Sequence, residues 1–188
     1  IGQTNIKRLI AYSSIGHIGF ALAGISTNTI TGYNSSIAYI AIYMVMNLGI
    51  FACIFLMKKD GKYCEKLSDL SGISKQHPIL SVSLLIILFS LAGIPPLAGF
   101  FAKFYIFMAV IENEMYALAI IGLLSTVVSA FYYLRIIKII YFEDASKSFD
   151  QIKNLGISST LFLSSVILLT FFMYPSFLNT IVKTLIIN

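Results

Sequence analysis

Five long apolar segments, separated by short polar connections, limit what this chain can become. They cover residues 6–25, 37–57, 79–111, 116–142 and 157–174. A helix of about 20 apolar residues is long enough to cross the hydrocarbon core of a bilayer. Only 11% of the residues are charged and the mean hydropathy is +0.89, whereas soluble domains are about one quarter charged. The sequence predicts an all-α integral membrane protein, a single membrane domain over residues 1–188 with about five transmembrane helices.

The third segment is too long and too interrupted to form one straight helix. Its roughly 33 residues would span about 50 Å as a continuous helix, against a hydrocarbon core of about 30 Å. Pro95 and Pro96 lack a backbone N–H, and each ring clashes with the carbonyl group one turn earlier. With Gly93 and Gly99 on either side, the pattern predicts a helix that is discontinuous at Pro95-Pro96. In lipid, such a break is tolerated only where it is buried in protein or lines a wet cavity.

Lys103 follows this break within the same apolar segment. It lies about 12 Å beyond Pro95 along a helix, and a charge at such a depth is typical of a functional residue that faces the helix bundle. Burial disfavours the charged form of a lysine, so that the side chain can take up and release a proton near neutral pH. The alternative is a lysine whose side chain extends to the membrane surface. The adjacent break favours the functional interpretation, since broken helices of transporters expose polar backbone groups to water.

His17 is a second candidate for a proton relay, because it is the only histidine within an apolar segment. Ser13 and Ser14 lie about one turn away, so the three side chains could form a hydrogen-bonded proton wire. The alternative is a neutral, packed histidine. Weaker candidates that could line a water path are Tyr43, Asn47, Ser90, Tyr105, Tyr132 and Tyr133. Tyrosines in such segments are more often packing or interfacial residues.

The apolar segments contain no acidic residue, which leaves a relay lysine without a carboxylate partner. We expect that partner on another chain or on an absent N-terminal part. The chain begins at Ile1 without a signal-like stretch, so we expect a fragment or one half of a split subunit.

Counting charges at the segment ends predicts the orientation of the chain. If all five segments cross the membrane, the ends alternate between two sides. One side receives Lys7, Arg8, the polar loop 58–76, Arg135, Lys138, Lys147 and Lys153, and the other receives the uncharged turn 26–36, Glu112, Glu114 and Lys183. The positive-inside rule makes the first side the cytoplasm or matrix. The end of the chain is then predicted to lie on the outer side.

The net charge of +5 does not indicate a nucleic-acid partner, since the basic residues lie in connections and not on one face. Cys53 and Cys64 form no metal or haem spacing. The sequence has no phosphate loop, nucleophile elbow, zinc signature or dinucleotide fingerprint. We therefore expect no redox chemistry and no cofactor in this chain.

Two stretches resemble a known family. Residues 3–19, QTNIKRLIAYSSIGHIG, are similar to a motif of the antiporter-like membrane subunits of respiratory complex I. Residues 91–105, LAGIPPLAGFFAKFY, resemble the broken-helix motif of one group of these subunits, NADH dehydrogenase subunit 2, called subunit N in bacteria. Residues 131–135 and 174–176 are also similar to that group. The resemblance extends over nearly the whole chain.

The resemblance implies a fold and site residues. Family members have fourteen spanning helices with two inverted repeats, and this chain resembles the last five. These helices would be the second antiporter-like repeat without its first helix, followed by the final helix. Lys103 matches the lysine of the broken helix in the second half-channel, and His17 matches a position in the tenth helix. The glutamate and lysines of the family's first half have no counterpart here.

The resemblance also implies a function. The chain would be a core membrane-arm subunit of proton-pumping NADH:ubiquinone oxidoreductase and would form part of a proton half-channel. NADH, FMN, iron–sulfur clusters and quinone would be bound by other subunits. Partners would be other membrane-arm subunits, a separate chain that supplies the N-terminal half, and membrane lipids. Two alternatives are a subunit of a cation/proton antiporter and a purely structural fragment of the membrane arm.

The chain is rich in Ile, Phe, Tyr, Lys and Asn, which suggests an AT-rich genome, as in many mitochondria. We therefore expect the mitochondrial inner membrane, with a bacterial plasma membrane as the alternative.

Overall fold

The computed structural model describes residues 2–59, 61–144, 149–150 and 154–171, and this part of the chain is mostly helical. Its helices are α1 (Ile6–Ser26), α2 (Ile30–Leu56), α3 (Pro78–Ala92), α4 (Ala98–Glu112), α5 (Tyr116–Phe142) and α6 (Leu155–Thr170). A two-residue hairpin pairs β1 (Lys58–Lys59) with β2 (Lys62–Tyr63), and 3₁₀ turns cover Leu67–Leu70 and Ile73–Lys75. The predicted all-α class is confirmed.

Three of these helices are long and apolar enough to cross a membrane alone, namely α1, α2 and α5, with 21, 27 and 27 residues. A fourth candidate joins the 3₁₀ turns to α3 with a bend of 120°. The third predicted segment is divided, as expected, into α3 and α4 of 15 residues each. Each of these is about 22 Å long and spans only part of the hydrocarbon core. The fifth predicted segment appears as α6, which has 16 residues in the described part of the chain.

The sequence analysis placed the start of the second segment at residue 37, which is later than the start of α2 in the structure. The predicted turn 26–36 is wrong, because α2 already begins at residue 30. The Thr29 hydroxyl caps α2 by accepting from the Gly32 N–H at 3.2 Å. The Ser36 hydroxyl can donate to the Gly32 carbonyl at 2.9 Å. Polar residues that are typical of a turn therefore satisfy their hydrogen bonds within a helix.

The end of α1 and the start of α2 pack backbone against backbone. A Cβ atom on Gly32 would collide with the Gly24 carbonyl and with Thr27. The Ser36 hydroxyl also lies 2.8 Å from the Ala21 carbonyl across the interface. Small residues allow such close approach, which is the usual basis of helix packing in lipid. This contact fixes α1, which carries His17, against α2.

The basic connections gather at one end of the helices. The Ile6 N–H donates to the Glu65 carbonyl at 2.8 Å, so the start of α1 lies on the loop that follows α2. The Gly72 N–H donates to the Ile139 carbonyl of α5 at 3.1 Å. This grouping agrees with the sequence prediction of a shared basic side.

Other residues named in the sequence analysis lie outside the described residues. They are Lys147, Lys153, Lys183, the similar stretch 174–176 and the rest of the chain from residue 172 onward. The predicted outer location of the chain's end is therefore carried forward as a proposal.

The core is centred on α2, which contacts α1, α3, α4 and α6. Its fully buried side chains include Tyr39, Met46 and Ile50, and α3 contributes Leu84 and Ile87. By contrast, α5 leaves much of its apolar surface exposed, which an aqueous protein would bury but lipid or a partner helix can cover. The core thus fixes α1, α3 and α4 around the residues described next.

Candidate functional site

The break between α3 and α4 covers residues 93–97, with Pro95 and Pro96 exposed. Gly93 ends α3 in a left-handed conformation with φ +81°, which glycine adopts without steric cost. Its N–H donates to the Ser90 carbonyl at 3.0 Å, and the next N–H, of Ile94, donates to the Phe89 carbonyl at 3.0 Å. These two bonds form a Schellman motif. The predicted discontinuity is confirmed.

Lys103 completes the end of α3. The last four carbonyl groups of a helix lack partners within it, and the Schellman motif satisfies only those of residues 89 and 90. The Lys103 ammonium lies 3.1 Å from the Leu91 carbonyl oxygen and 3.4 Å from that of Ala92. These oxygens are the negative end of the helix dipole, which stabilises a cation.

The lysine is 4% exposed. It is turned towards the protein and does not extend to the membrane surface in this conformation. Among the described residues, its hydrogen-bond partners are backbone oxygens. The carboxylate partner was expected on another chain or on an absent N-terminal part. The orientation agrees with a relay lysine, and the relay role itself stays a prediction.

Gly93 in the break and Gly99 in the first turn of α4 make room for this arrangement. A Cβ on Gly99 would collide with the Ser90 carbonyl, while the Gly99 N–H donates to the Ser90 hydroxyl at 3.0 Å. A Cβ on Gly93 would lie 3.1 Å from Cδ and 3.3 Å from Nζ of Lys103. Ser90 is fully buried, and its hydrogen bond with Gly99 joins the end of α3 to the first turn of α4.

His17 lies in a buried chain of hydrogen bonds. Its Nδ1 is 2.7 Å from the Tyr39 hydroxyl and its Nε2 is 3.0 Å from the Tyr133 hydroxyl. The Tyr133 hydroxyl also bonds to the Ser13 hydroxyl. The Tyr132 hydroxyl donates to Ser13 Oγ at 3.2 Å. Five side chains from α1, α2 and α5 are therefore connected.

A consistent proton arrangement exists for this chain. A neutral imidazole donates from one nitrogen and accepts at the other, and a hydroxyl can do both. Since Tyr132 donates to Ser13, Ser13 can donate to Tyr133, Tyr133 can donate to Nε2, and Nδ1–H can donate to Tyr39. Every interior member both donates and accepts, which a proton wire requires.

The other predicted residues divide between this site and other surfaces. Tyr43 stacks on the His17 ring with centroids 4.6 Å apart. Tyr105 is half-buried, and its ring lies 5.9 Å from that of Phe104. Asn47 is half-buried and lines a cavity of about 540 Å³ between α2 and α6, whose lining does not include Lys103. Tyr105 and Asn47 are thus not joined to either relay candidate by the contacts described.

Sequence reasoning placed Ser14 in the wire and missed Tyr39. The Ser14 hydroxyl donates instead to the Ile10 carbonyl of its own helix at 2.9 Å. Tyr39 could have been found from its spacing, because it lies one turn before Tyr43 on the same face of α2. The structure thus replaces Ser14 with Tyr39 in the predicted wire.

Comparison with known proteins identifies the family of this chain. The family model described as NADH:quinone oxidoreductase/Mrp antiporter, transmembrane, matches residues 1–129, a range that includes both His17 and Lys103. NADH-quinone oxidoreductase subunit N of Pelagibacter ubique is 61% identical over 183 residues, 97% of this chain and 39% of that protein. Subunit N of Rhodospirillum rubrum is 49% identical over 176 residues, 94% of this chain and 36% of that protein. The chain therefore spans about two fifths of the length of these relatives.

Solved structures agree with the family indicated by these sequence matches. A chain of respiratory complex I from Thermus thermophilus with bound aureothin has a TM-score of 0.79 and 25% identity, covering 93% of this chain and 39% of that one. A chain of the Mrp complex from Dietzia sp. DQ12-45-1b has a TM-score of 0.80, covering 94% of this chain and 41% of that one. At 20% identity, the second likeness shows the fold alone. The resemblance stated from the motifs is confirmed: this chain is a multi-pass membrane protein and belongs to the NADH:quinone oxidoreductase/Mrp antiporter transmembrane family.

Proposed function

We propose that this chain is part of a membrane-arm subunit of a proton-pumping NADH:quinone oxidoreductase, and that Lys103 carries protons through it. One observation carries the proposal. A buried lysine is held at the end of a broken helix by two backbone oxygens, at 3.1 and 3.4 Å. The sequence identity of the chain with relatives named subunit N supports the assignment to this enzyme complex.

The geometry suggests how the lysine would work. The charged ammonium is attracted to the carbonyl oxygens of α3, whereas a neutral amine interacts with them more weakly. A change of charge in a neighbouring subunit would therefore shift both the protonation and the position of Lys103. The chain of hydrogen bonds at His17 would deliver or receive the proton. NADH oxidation and quinone reduction, with FMN and iron–sulfur clusters, would take place on other subunits.

A second candidate is a subunit of a cation/proton antiporter. The family model covers both classes of protein, and the Mrp complex chain shares the fold. Identity favours the oxidoreductase, since the curated relatives with 61% and 49% identity are named as its subunit N. A purely structural role would require that neither Lys103 nor His17 carries a proton.

The partners and the location follow from the same proposal. The chain would occupy the C-terminal part of the subunit, with its end on the outer side, and other membrane-arm subunits and lipids would surround it. The missing helices would come from a separate chain or from the same, longer one. Composition led us to the mitochondrial inner membrane, with a bacterial plasma membrane as the alternative, and the bacterial origin of the reported relatives supports the alternative.

Substitution of Lys103 in the assembled complex tests the function. Complexes would be reconstituted into vesicles, and protons moved per NADH oxidised would be measured with an entrapped pH dye. We expect Lys103→Met to lower this ratio while assembly is retained. Lys103→Arg should also lower it, because a guanidinium keeps its proton in proteins. Lys138→Met, at an exposed position of α5, should leave the ratio unchanged.

The outcomes separate the three functions. A normal ratio in assembled Lys103→Met and Lys103→Arg complexes would show that the lysine is not a relay. Sodium-dependent proton exchange in vesicles without NADH would favour the antiporter. Full pumping after Lys103 and His17 are both replaced by apolar residues would favour a structural role.

A further inference from the structure

The ring of Phe20 contacts one relay candidate, Lys103, and the ring of Tyr39, a hydrogen-bond partner of the other. It follows His17 by three residues on α1, so both side chains are on one face of the helix. The Lys103 ammonium is 5.0 Å from the centroid of the Phe20 ring. The centroid of the Tyr39 ring, whose hydroxyl bonds to His17, is 6.1 Å from the centroid of the Phe20 ring. Phe20 itself is buried, with 6% of its surface exposed.

Three neighbouring cavities near this ring share lining residues. One of about 90 Å³ opens beside His17 and is lined by hydroxyl groups and by Phe20. Another, of about 260 Å³, opens beside Lys103 and is lined by Phe107. A third cavity, of about 250 Å³, shares Phe20 with the first and Phe107 with the second, and these two rings meet edge to face with their centroids 5.9 Å apart. The polar space at the imidazole and the space at the lysine are thus separated by two apolar rings.

A glycine of α5 leaves the space that the Phe107 ring occupies. A Cβ on Gly122 would lie 2.7 Å from the Phe107 ring, so a larger residue there would push the ring away. Phe20 is different, because it also contacts the cation. Phe20 is therefore both part of the apolar barrier and in contact with the charge of the lysine.

We propose that Phe20 is a positioning residue that seats the Lys103 ammonium on the end of α3 and closes the route between this lysine and the hydrogen-bonded chain at His17. The proposal rests on the proposed function, in which Lys103 carries protons. A phenyl ring has no N–H or O–H group, so a proton cannot pass through it by hydrogen bonds. The ring face attracts an ammonium but not a neutral amine.

The barrier therefore depends on the charge of the lysine. When Lys103 is neutral, the ring is released and water can connect Nζ with the chain at His17. One proton then moves from the chain to Nζ, and the chain is refilled from the polar cavity beside it. The ammonium that results holds the ring in place, which slows the return of the proton. The direction of transfer would be set by the change of charge in a neighbouring subunit, and Phe20 would limit the back-reaction.

Two substitutions separate the barrier from the attraction. Phe20→Ala removes both, and the space of a ring beside polar groups is large enough for water. We expect faster decay of an imposed pH gradient in vesicles without NADH, and fewer protons pumped per NADH. Phe20→Leu keeps an apolar side chain but lacks a ring. We expect a wild-type decay rate but a lower ratio, because loss of a desolvated cation–π contact reduces seating of the ammonium by up to roughly 30-fold.

The matched control is Phe162→Ala, which removes an exposed ring from α6 that lines none of these three cavities. It should behave as wild type in both measurements. A wild-type leak in assembled Phe20→Ala complexes, or a full pumping ratio in Phe20→Leu complexes, overturns the proposal. If Phe20→Ala does not assemble, the Phe20→Leu ratio decides. Normal pumping in Lys103→Met instead overturns the proposed function, whereas lost pumping there with unaltered Phe20 variants overturns only the role of Phe20.

Discussion

Gly93→Ala tests whether the end of α3 is shaped for Lys103. Gly93 has φ +81°, and a left-handed conformation costs an alanine roughly 1–2 kcal/mol. Stiffening of the unfolded chain by alanine offsets about 0.4–1 kcal/mol. A Cβ would also stand 3.1 Å from Cδ of Lys103, so the lysine must shift by a few tenths of an ångström. Its bond to Ala92, already 3.4 Å long, would then be lost.

Gly61→Ala is the matched control. Gly61 has φ +73° but no neighbouring atom within 4 Å of an added Cβ, so it shares the backbone strain without the crowding. A hydrogen bond to a charged group contributes about 1.5–3 kcal/mol. We therefore expect Gly93→Ala to destabilise its surroundings by about 1.5 kcal/mol more than Gly61→Ala does, a factor of about ten in local opening.

Amide hydrogen exchange of the assembled complex, followed by mass spectrometry, measures this opening. Peptides that cover the end of α3 should exchange about tenfold faster in Gly93→Ala, and the pumping ratio should fall. In Gly61→Ala, only the hairpin peptides should change. The reasoning is refuted if the end of α3 exchanges at the wild-type rate in Gly93→Ala, or if the two variants pump equally well.

Two further predictions concern the hydrogen-bonded chain and the basic end. Tyr133→Phe removes the hydroxyl that links the serine to the imidazole but keeps the ring, so assembly should persist while the pumping ratio falls; Tyr12→Phe, at an exposed position, is the control, and equal ratios would contradict the wire. The hydrogen bond from Lys7, at 2.8 Å, holds the pKa of the exposed Glu65 carboxyl below its usual value. The small stabilisation is therefore present above the ordinary glutamate pKa of about 4.3 and is lost as pH falls through the lower folded value. Hydrogen exchange at the start of α1 should be faster in Glu65→Gln than in wild type at pH 7, and the ratio of the two rates should fall towards one as the pH falls below the ordinary glutamate pKa. A ratio that does not change with pH would contradict the assignment.

The break could be predicted from the sequence because its causes are local. Proline removes an N–H wherever it stands, and a left-handed helix end favours glycine whatever surrounds it. The inward position of Lys103 could also be predicted, since a charge within an apolar segment has few stable alternatives. The limits of α5 agree with the predicted segment for a similar reason, as polar turns border it on both sides.

The partners of the relay candidates could not be predicted, because they depend on packing between distant segments. Tyr39 and Tyr133 are 22 and 116 residues from His17, and no spacing rule relates three separate helices. The anchor of Lys103 was missed for another reason. We looked for a carboxylate among side chains, whereas the partner atoms are main-chain oxygens that every residue possesses. The early start of α2 was missed because turn-forming residues can also cap a helix and bond within it.

The main-chain anchor of Lys103 has an evolutionary consequence. Substitution at Leu91 or Ala92 would change a side chain but leave the carbonyl oxygens in place, so a single point mutation there does not delete the counter-dipole. A carboxylate anchor would be lost by one codon change and would itself compete for the proton. A peptide carbonyl does neither, and its strength is the same at every physiological pH. The partner of the lysine therefore cannot be removed by substitution of a side chain and does not titrate. Mutation can change it only by changing the backbone conformation of the break.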